Sequence, residues 1–476
     1  MQSAIVRVET NSAVPSDRSI YVWGLATVAA LGGLLFGYDW VVIGGARQFY
    51  EIYFHLTSPA VVGWANSCAL AGCLIGTLAA GYFAERFGRK KILLAAAILF
   101  ALSSLETGWA HSFSAFILWR IAGGIAIGLS SNVSPLYIAE ISPSDIRGRL
   151  ISLNQLAIVF GILLAQVANW RIARPVPLGL SPSAMLQTWN VQQGWRWMFS
   201  AVAIPAIIFI LASLFIPESP RWLLARGRER EARTVLARIG GERYADAEQH
   251  AIESALSLDR TQRKFRWREL LRHPSVLRVL LVGITLAVLQ QWTGINILFN
   301  YAAEVYREAG YGANDIFLNI IITGSINVVF TILAMLLVDR VGRRPLMLFG
   351  CIGIGTSHLL CAWAYHAHWR GGAVLLLTLS AISCYAVTLA PVVWVLIAEI
   401  FPSQIRSQGI SAAIGALWIA SFALTYSFPI LNAALGTGGT FAGYGIICLL
   451  GSLFVGFFVS ETKGQSLEEI GAHVVI

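Results

Sequence analysis

Long apolar runs separated by short polar links fill this chain. Each run has about 20 or more apolar residues, enough for a helix to cross the roughly 30 Å hydrocarbon core of a bilayer. The runs lack the alternation of membrane β-strands, and a helix satisfies its own backbone hydrogen bonds in lipid. We therefore predict an all-α membrane protein with twelve spanning helices, at about 21–45, 60–84, 91–110, 114–138, 150–171, 196–216, 275–301, 314–337, 345–367, 373–399, 408–432 and 441–460.

One link, from 217 to 274, is long and strongly charged, with Arg and Glu interleaved as in GREREARTVLARIG. This pattern favours surface helices supported by ion pairs one turn apart. The link separates two six-helix domains, predicted at 21–216 and 275–460. Tails at 1–20 and 461–476 complete the predicted organisation.

Composition supports a membrane protein. Hydrophobic residues make up 57% of the chain and charged residues 12%, whereas about 25% of a soluble domain is charged. The net charge of +9 comes from basic residues concentrated in alternate links. This bias predicts that those links, the 217–274 segment and both termini are cytoplasmic, and it explains the charge without a nucleic-acid partner.

The polar chemistry gives no sign of an enzyme. The six cysteines all lie in apolar runs without a CxxC pair, so we interpret them as small core residues and not as a disulfide framework. No Ser/His/Asp set, metal cluster or phosphate-binding loop is apparent. We expect no cofactor, no metal and no catalytic residues.

Two nonapeptides nearly repeat: AEISPSDIR contains Glu140, and AEIFPSQIR contains Glu399, 259 positions later. The turns GYFAERFGRKK and LLVDRVGRRPL repeat at a spacing of 254, and PESPRW and SETKG place acids at a spacing of 243. The matched order predicts one six-helix unit used twice in parallel.

The repeated charges suggest a cytoplasmic gate. A single basic motif is explained by lipid phosphate binding or by topology, but two copies favour an ion-pair network at the helix ends. Our hypothesis is that this network closes in one conformation and favours the outward-facing state. Its predicted members are Glu85, Arg86, Arg89, Glu140, Arg147, Glu218, Asp339, Arg340, Arg343, Glu399, Arg406 and Glu461.

The seventh run, LQQWTGINILFN, holds three amides at membrane depth: Gln290, Gln291 and Asn296. A regular helix would spread them around its axis, whereas a break at Gly294 would let them converge. Amides both donate and accept hydrogen bonds, as sugar hydroxyls require. Contact between helices is the alternative explanation.

Two charges lie inside spans, Asp39 in FGYDW and Arg120 in LWRIAGG. Lone charges there cost about 3 kcal/mol or more, so we expect the two either to pair or to titrate. Movement of Arg120 towards or away from Asp39 would release or load a proton. A fixed structural ion pair is the alternative.

The ordered motifs resemble the sugar porter family of the major facilitator superfamily, over essentially the whole chain. They are GGLLFGYD, the two [DE]RxGR[KR] turns, PESPRWLL, QQxxGIN, PxxWxxxAEIFPxxIR and SETKG. Bacterial proton-coupled xylose and glucose transporters are the most similar members. Proton symporters of this family carry an acid at the position of Asp39, where uniporters usually carry Asn.

The resemblance adds further residues to a sugar site, although Gln155 alone would equally suit a helix contact and Trp394 alone an interface belt. Three departures leave the sugar undecided: Asn300 replaces a usual tyrosine, Leu417 a glutamine and Ala390 a glycine. The predicted substrate-binding residues are Phe36, Gln155, Gln290, Gln291, Asn296, Asn300, Trp394 and Trp418.

These features together predict a secondary transporter in the bacterial inner membrane. It would import a monosaccharide such as xylose or glucose with a proton, by alternating access. A passive facilitator and, less favoured, a non-transporting sugar sensor are the alternatives. We expect a monomer whose partners are the sugar, the proton and the lipid bilayer.

Overall fold

The computed structural model describes residues 16–176, 181–261, 273–369, 371–401 and 405–463. Most of the two predicted tails, and 262–272 of the predicted link, lie outside this range, and the predicted boundaries of the tails and link remain predictions. The described residues form helices joined by short turns, as the apolar runs predict. No strand occurs among them.

The first half contains six membrane crossings. Its sixth crossing is the most irregular, because a π-helical turn at Asn190–Gly194 leads into two consecutive α-helices. The helices are α1 (Ser16–Tyr53), α2 (Pro59–Phe87), α3 (Arg89–Gly108), α4 (Phe113–Ile141), α5 (Arg147–Ile172), the short α6 (Pro182–Leu186), α7 (Trp195–Ser200) and α8 (Ala203–Phe215).

Three helices follow in the charged link, α9 (Pro220–Ala225), α10 (Glu229–Gly240) and α11 (Glu242–Thr261). The Arg233 side chain on α10 lies 2.9 Å from Asp246 on α11, and both are exposed. The interleaved charges therefore form surface ion pairs.

The second half repeats the arrangement with more interruptions. Its last helix is long enough for two crossings and breaks at Gly436 (φ 70°, ψ 169°), inside the predicted link at 433–440. The helices are α12 (Pro274–Trp292), α13 (Ile295–Asn300), α14 (Ala302–Glu308), α15 (Ala313–Val341), α16 (Arg343–His366), α17 (Gly372–Val387), α18 (Leu389–Glu399) and α19 (Arg406–Phe458).

The apolar segments match the predicted crossings. Eleven described segments are long and apolar enough to span a bilayer, and the last of them, at Gln408–Phe458, has 51 residues. Since about 20 residues suffice for one crossing, that segment accounts for two, and the predicted count of twelve agrees with the structure.

Small residues let the helices approach closely. Gly124 and Gly128 on α4 lie against the backbone carbonyls of Ala69 and Cys73 on α2, so a side chain there would collide with backbone. The two halves meet where α2 packs on α19, α5 on α15 and α1 on α13.

The chain order defines two membrane sides. Helices α9–α11 lie on one side, which we call the linker side, together with the turns at Gly88 and Gly342. The opposite side, which we call the far side, holds the end of α1, the start of α4 and helix α14. Both sides carry charged clusters, described below.

Candidate functional site

The seventh crossing breaks at Gly294, the first feature of the candidate site. Gly294 has a left-handed conformation (φ 79°) between α12 and α13. The break brings the amides together: Asn296 Nδ2 donates to Gln291 Oε1 at 2.5 Å, and Gln291 Nε2 donates to Gln290 Oε1 at 3.2 Å. The three amides thus form one chain of hydrogen bonds, and their role as sugar ligands stays a prediction.

Gln290 also makes the alternative helix contact. Its Nε2 donates to the carbonyl oxygens of Leu389 and Ala390 at 3.2 and 3.3 Å, where α17 ends and α18 begins. These carbonyls belong to a second helix break, at Thr388. Gln290 therefore connects the break after α12 to the break before α18. Gln291 and Asn296 continue the same chain of hydrogen bonds from the Gln290 side chain.

Three aromatic rings lie together between the halves. The Phe36 ring centroid is 5.7 Å from that of Trp40 and 6.0 Å from that of Trp418, and the two Trp rings are 6.0 Å apart. The Trp418 Nε1 group is buried without a hydrogen-bond partner among the described residues. The sequence analysis did not include Trp40 in the predicted site. Its position directly after Asp39 in FGYDW could have indicated it.

The other predicted ligands differ in exposure. Gln155 on α5 is half-buried. Trp394 on α18 is 37% exposed. Asn300, at the end of α13, is buried and lines a small cavity beside Trp40 and Arg120.

The predicted pair inside the first half forms. Arg120 Nη1 lies 3.0 and 3.1 Å from the two carboxylate oxygens of Asp39, and both residues are at most 4% exposed. The Arg120 guanidinium also lies 5.3 Å from the centre of the Phe199 ring. The pair joins α1 to α4 within one half, away from bulk water.

On the linker side of the first half, Arg89 and Glu140 form a two-bond ion pair. Arg89 Nε and Nη2 each lie 2.8 Å from a Glu140 oxygen, and Ser219 Oγ donates to the same carboxylate. The Glu218 carboxylate accepts from the backbone N–H groups of Arg89 and Lys90. An anion at the start of α3 is favoured, because the first N–H groups of a helix lack internal partners.

The second half repeats this arrangement with weaker geometry. Arg343 Nη2 lies 3.3 Å from Glu399, and Thr462 Oγ1 donates to Glu399 as Ser219 does to Glu140. Glu461 accepts from the backbone N–H groups of Arg343 and Arg344 at the start of α16. The hydroxyl partners Ser219 and Thr462 were absent from the prediction, although each directly follows a predicted acid.

The remaining members of the predicted gate lie beside these pairs. Arg147 and Arg406 donate to the carbonyl oxygens of Ser142 and Phe401 in their own turns. The Glu85 and Arg340 carbonyl oxygens accept from Trp222 and Lys463.

Arg86 is exposed and donates to Tyr82 on its own helix, because the last turn of α2 directs it away from the cluster. The Asp339 side chain lies outside the described residues. In the described contacts Arg86, Arg147 and Arg406 donate to partners in their own helices or turns. The ion-pair role of these residues, and of Glu85 and Arg340, stays a prediction.

Burial and backbone N–H groups act in opposite directions on the pKa of the Glu461 carboxyl. Partial burial by itself would raise this pKa, but the backbone N–H groups of Lys463, Arg343, Arg344 and Thr462 act in the opposite direction. Their net effect lowers the pKa of Glu461 below its ordinary value of 4.5.

A far-side cluster, which the sequence did not predict, joins the halves. Arg47 near the end of α1 lies 2.5 Å from both Glu51 on its own helix and Glu304 on α14. The Arg47 guanidinium also covers the Tyr301 ring at 4.3 Å. Arg307 on α14 donates to Gln48 at 2.8 Å. We call Arg47, Gln48, Glu51, Glu304 and Arg307 the far-side cluster.

The far-side cluster is supported from α19. Asn432 Nδ2 donates to Glu304 at 2.7 Å, and Thr437 donates to Glu308 next to it. A cavity of about 520 Å³ lies beside the cluster, lined by α1, α14 and the residues before α7. The sequence did contain a signal for this contact. Glu304 and Arg307 follow the seventh apolar run, and Arg47 follows the first.

Residues 25–473 match the family described as Sugar (and other) transporter. The chain belongs to this family. The D-xylose-proton symporter of Escherichia coli (strain K12) is 36% identical over 485 residues, covering 95% of this chain and 96% of that protein. The glucose transport protein of Synechocystis is 38% identical over 463 residues, covering 94% and 97%.

A solved structure agrees. The inward-open conformation of the xylose transporter XylE from E. coli superimposes with a TM-score of 0.83 at 34% identity, covering 95% of this chain and all of that one. The fold is therefore that of the major facilitator superfamily. The family resemblance is confirmed, and this multi-pass membrane protein is a sugar transporter and not an enzyme.

Proposed function

We propose that this sugar transporter imports a monosaccharide together with a proton, by alternating access. The observation that carries the proposal is the Asp39–Arg120 pair, because it places a titratable acid and a fixed cation within 3.0 Å in the buried core of one half. A passive facilitator needs no such acid. Proton-coupled relatives at 36% identity support this assignment.

The pair can load and release one proton. Ionised Asp39 accepts two hydrogen bonds from Arg120 Nη1, and these compensate for both charges being away from water. Protonation of Asp39 removes the electrostatic attraction between its carboxylate and the Arg120 guanidinium. Arg120 then lacks an anionic hydrogen-bond acceptor. The packing of α1 on α4 would then differ between the two protonation states, which is the property a symporter requires.

The sugar would lie between the aromatic cluster and the amides. Phe36, Trp40 and Trp418 offer apolar faces to the ring, and Gln291 and Asn296 offer both donors and acceptors to its hydroxyl groups. In the described conformation these amides bond to one another. A sugar would replace those bonds with its own, and Gln155 and Gln290 would complete its partners.

The conformation is inward-facing in this proposal. The far-side cluster holds the ends of α1 and α14 together, and the similar XylE structure is inward-open. Trp394 lies five residues before the end of α18 at Glu399, and it is partly exposed. The concentration of basic links on the linker side supports a cytoplasmic location for it and for both termini.

The substrate class is a pentose or hexose. Relatives named for xylose and for glucose are similarly identical to this chain, so identity alone favours neither. Asn300, Leu417 and Ala390 shape the polarity and volume of the proposed site. We propose a monomer in the bacterial inner membrane.

Uptake of labelled xylose and glucose into proteoliposomes tests the proposal, with and without an inward proton gradient. We expect accumulation driven by the gradient in the wild type. Asp39→Asn should lose accumulation while keeping sugar exchange, because exchange does not require net proton movement. Asp246→Asn, an exposed change on α11, is the matched control and should transport as the wild type does.

Three results would each contradict part of this proposal. Equal equilibration with and without a gradient, in wild type and Asp39→Asn alike, would identify a facilitator in which the Asp39–Arg120 pair is structural. Movement of neither sugar would require another substrate. Binding without transport would favour a sensor.

The sugar site has its own test. Gln291→Ala removes hydrogen bonds worth about 1–1.5 kcal/mol, so we expect the half-saturating sugar concentration to rise about tenfold. Gln249→Ala, which removes an amide on α11 of the charged link that bonds Glu253, is the control. An unchanged half-saturating concentration in Gln291→Ala would leave this amide as a helix contact only.

A further inference from the structure

Three buried polar groups beside the Asp39–Arg120 pair lack hydrogen-bond partners. They are Arg120 Nε, Asn66 Oδ1 and Asn300 Oδ1, each without a partner among the described residues. The three residues are only 3%, 4% and 4% exposed. Buried polar groups in proteins are nearly always hydrogen-bonded, so three such groups in one place require an explanation.

All three residues line the same small cavity. Its wall includes Asn66 on α2 and Arg120 on α4 from the first half, and Asn300 on α13 from the second half. Trp40 on α1 completes the side nearest the aromatic cluster. The cavity is therefore a place where the two halves meet around the proposed proton site.

The cavity volume selects the occupant. It measures about 10 Å³, close to the roughly 10–15 Å³ that one water molecule needs and far below the volume of a sugar. The three polar side chains in its wall distinguish it from an apolar cavity, which would stay dry. One small molecule with a mixed hydrogen-bonding capacity fits.

We propose that this cavity is a binding site for a single water molecule that bridges the halves. The water oxygen accepts from Arg120 Nε–H, and its two hydrogens are donated to the side-chain oxygens of Asn66 and Asn300. One donor and two acceptors match the capacity of one water making three hydrogen bonds. The Asn66 amide is held in the required orientation, because its Nδ2 donates to the Val62 carbonyl at 2.9 Å.

The water connects two parts of the proposed mechanism, and this consequence rests on the proposed symport. Arg120 bonds Asp39 through Nη1 and the water through Nε. Asn300 ends α13, the helix that carries Asn296. Movement of α13 on sugar binding would move Asn300 away from or towards the water. The hydrogen bond between the water and Arg120, beside Asp39, would change with it. The water therefore transmits sugar occupancy to the proton site.

The direct test is a high-resolution structure of the full chain purified without sugar. We expect solvent density between the three side chains in the wild type, and its loss in Asn66→Leu, which keeps a side chain of similar size. Density absent from the wild type, with the three side chains bonded directly to one another, would overturn the site. This readout does not depend on the direction of transport or on the ion used.

The coupling role is tested by a double-substitution cycle in proteoliposomes. The readout is gradient-driven accumulation divided by the rate of sugar exchange. We expect Asn66→Leu and Asn300→Leu each to lower this ratio at least fivefold, and the double variant to be no worse than the more affected single variant, because both remove the same water. Asn66 is the cleaner position, since it is not a proposed sugar ligand.

Asn319→Leu provides the matched control. Asn319 on α15 is also buried with an unpartnered amide nitrogen among the described residues, but it does not line the cavity. In the double variant of Asn319 and Asn66, the fold-changes in the ratio of accumulation to exchange rate should multiply. If the fold-changes of Asn66→Leu and Asn300→Leu also multiply, the two residues do not share one water.

The two proposals fail differently. A wild type that never accumulates sugar contradicts symport, and the solvent density then decides the water site alone. A wild type that accumulates sugar, together with Asn66→Leu that accumulates equally well at an unchanged exchange rate, contradicts the coupling role and leaves symport intact.

Discussion

The two membrane sides of this transporter use charges differently. On the linker side, Arg89–Glu140 and Arg343–Glu399 each join helices of a single half, and the arrangement occurs twice. On the far side, Arg47–Glu304 joins the two halves, and no second copy of this arrangement occurs among the described residues. Duplication therefore accompanies the contacts inside a half and not the contact between the halves.

We therefore expect the ion pairs inside a half and the ion pair between the halves to have different roles. Ion pairs inside a half keep its helix ends together, so we expect them to contribute mainly to the stability of that half. An ion pair between the halves must break when they separate, so it should bias the conformational equilibrium. Substitutions on the two sides separate these effects.

The largest expected effect is a loss of stability in Arg89→Ala. The substitution leaves the Glu140 carboxylate, whose side chain is only 6% exposed, without its two-bond partner, which typically costs about 3–5 kcal/mol. The free energy of unfolding in detergent measures this cost. Arg86→Ala, at an exposed position three residues earlier, should change it by less than about 0.5 kcal/mol; equal losses in both would contradict an ion-pair contribution.

Arg47→Ala should shift the conformation more than the stability. It removes charge-assisted bonds worth about 1.5–3 kcal/mol from the closed far side and leaves Glu51 and Glu304 without their cation. We expect the ratio of far-side-open to far-side-closed molecules to rise about tenfold to a hundredfold. Pulsed electron resonance between labels at His111 and Ala367, exposed far-side positions in different halves, measures this ratio.

The matched comparison is Arg307→Ala, which loses a single bond to Gln48 at an exposed position. Its shift should be much smaller. If Arg47→Ala leaves the label distances unchanged, the far-side cluster does not control opening.

Arg343→Ala should cost less than Arg89→Ala, about 1–2 kcal/mol, because its ion-pair distance is 3.3 Å and the Glu399 side chain is 24% exposed. Unfolding in detergent gives the comparison. Glu399→Gln, measured with the same far-side labels, tests the sequence-based hypothesis that this network favours the outward-facing state. That hypothesis predicts a smaller far-side-open fraction, and unchanged distances would reject it.

The smallest effect concerns pH. The folded structure lowers the pKa of Glu461 below 4.5, so its ionised carboxylate adds stability at neutral pH. That contribution should disappear as the pH falls from the ordinary value through the lowered pKa. The difference in unfolding temperature between wild type and Glu461→Gln should therefore narrow between pH 7 and acid pH.

Exposed Glu229→Gln is the control for this pH series. A wild-type advantage over Glu461→Gln that persists unchanged at acid pH would show that packing, and not charge, accounts for the stability.

The linker-side network was partly predictable. Repeated motifs identify Glu140, Arg89 and Glu218 with their counterparts, because motif spacing is a property of the chain. They do not distinguish Arg89, which turns inward to Glu140, from Arg86, which faces outward. Side-chain direction at a helix end depends on the neighbouring helix, which the motif does not contain.

The sequence by itself determined the membrane class, the twelve crossings and the repeated halves, and it suggested the break at Gly294, because each depends on local composition, spacing or backbone freedom. Only the tertiary structure decided that Arg47 meets Glu304 and that Asn66, Arg120 and Asn300 surround one cavity. Arg47 and Glu304 are 257 positions apart. Such contacts depend on how two halves approach in one conformation, and no local pattern records that distance.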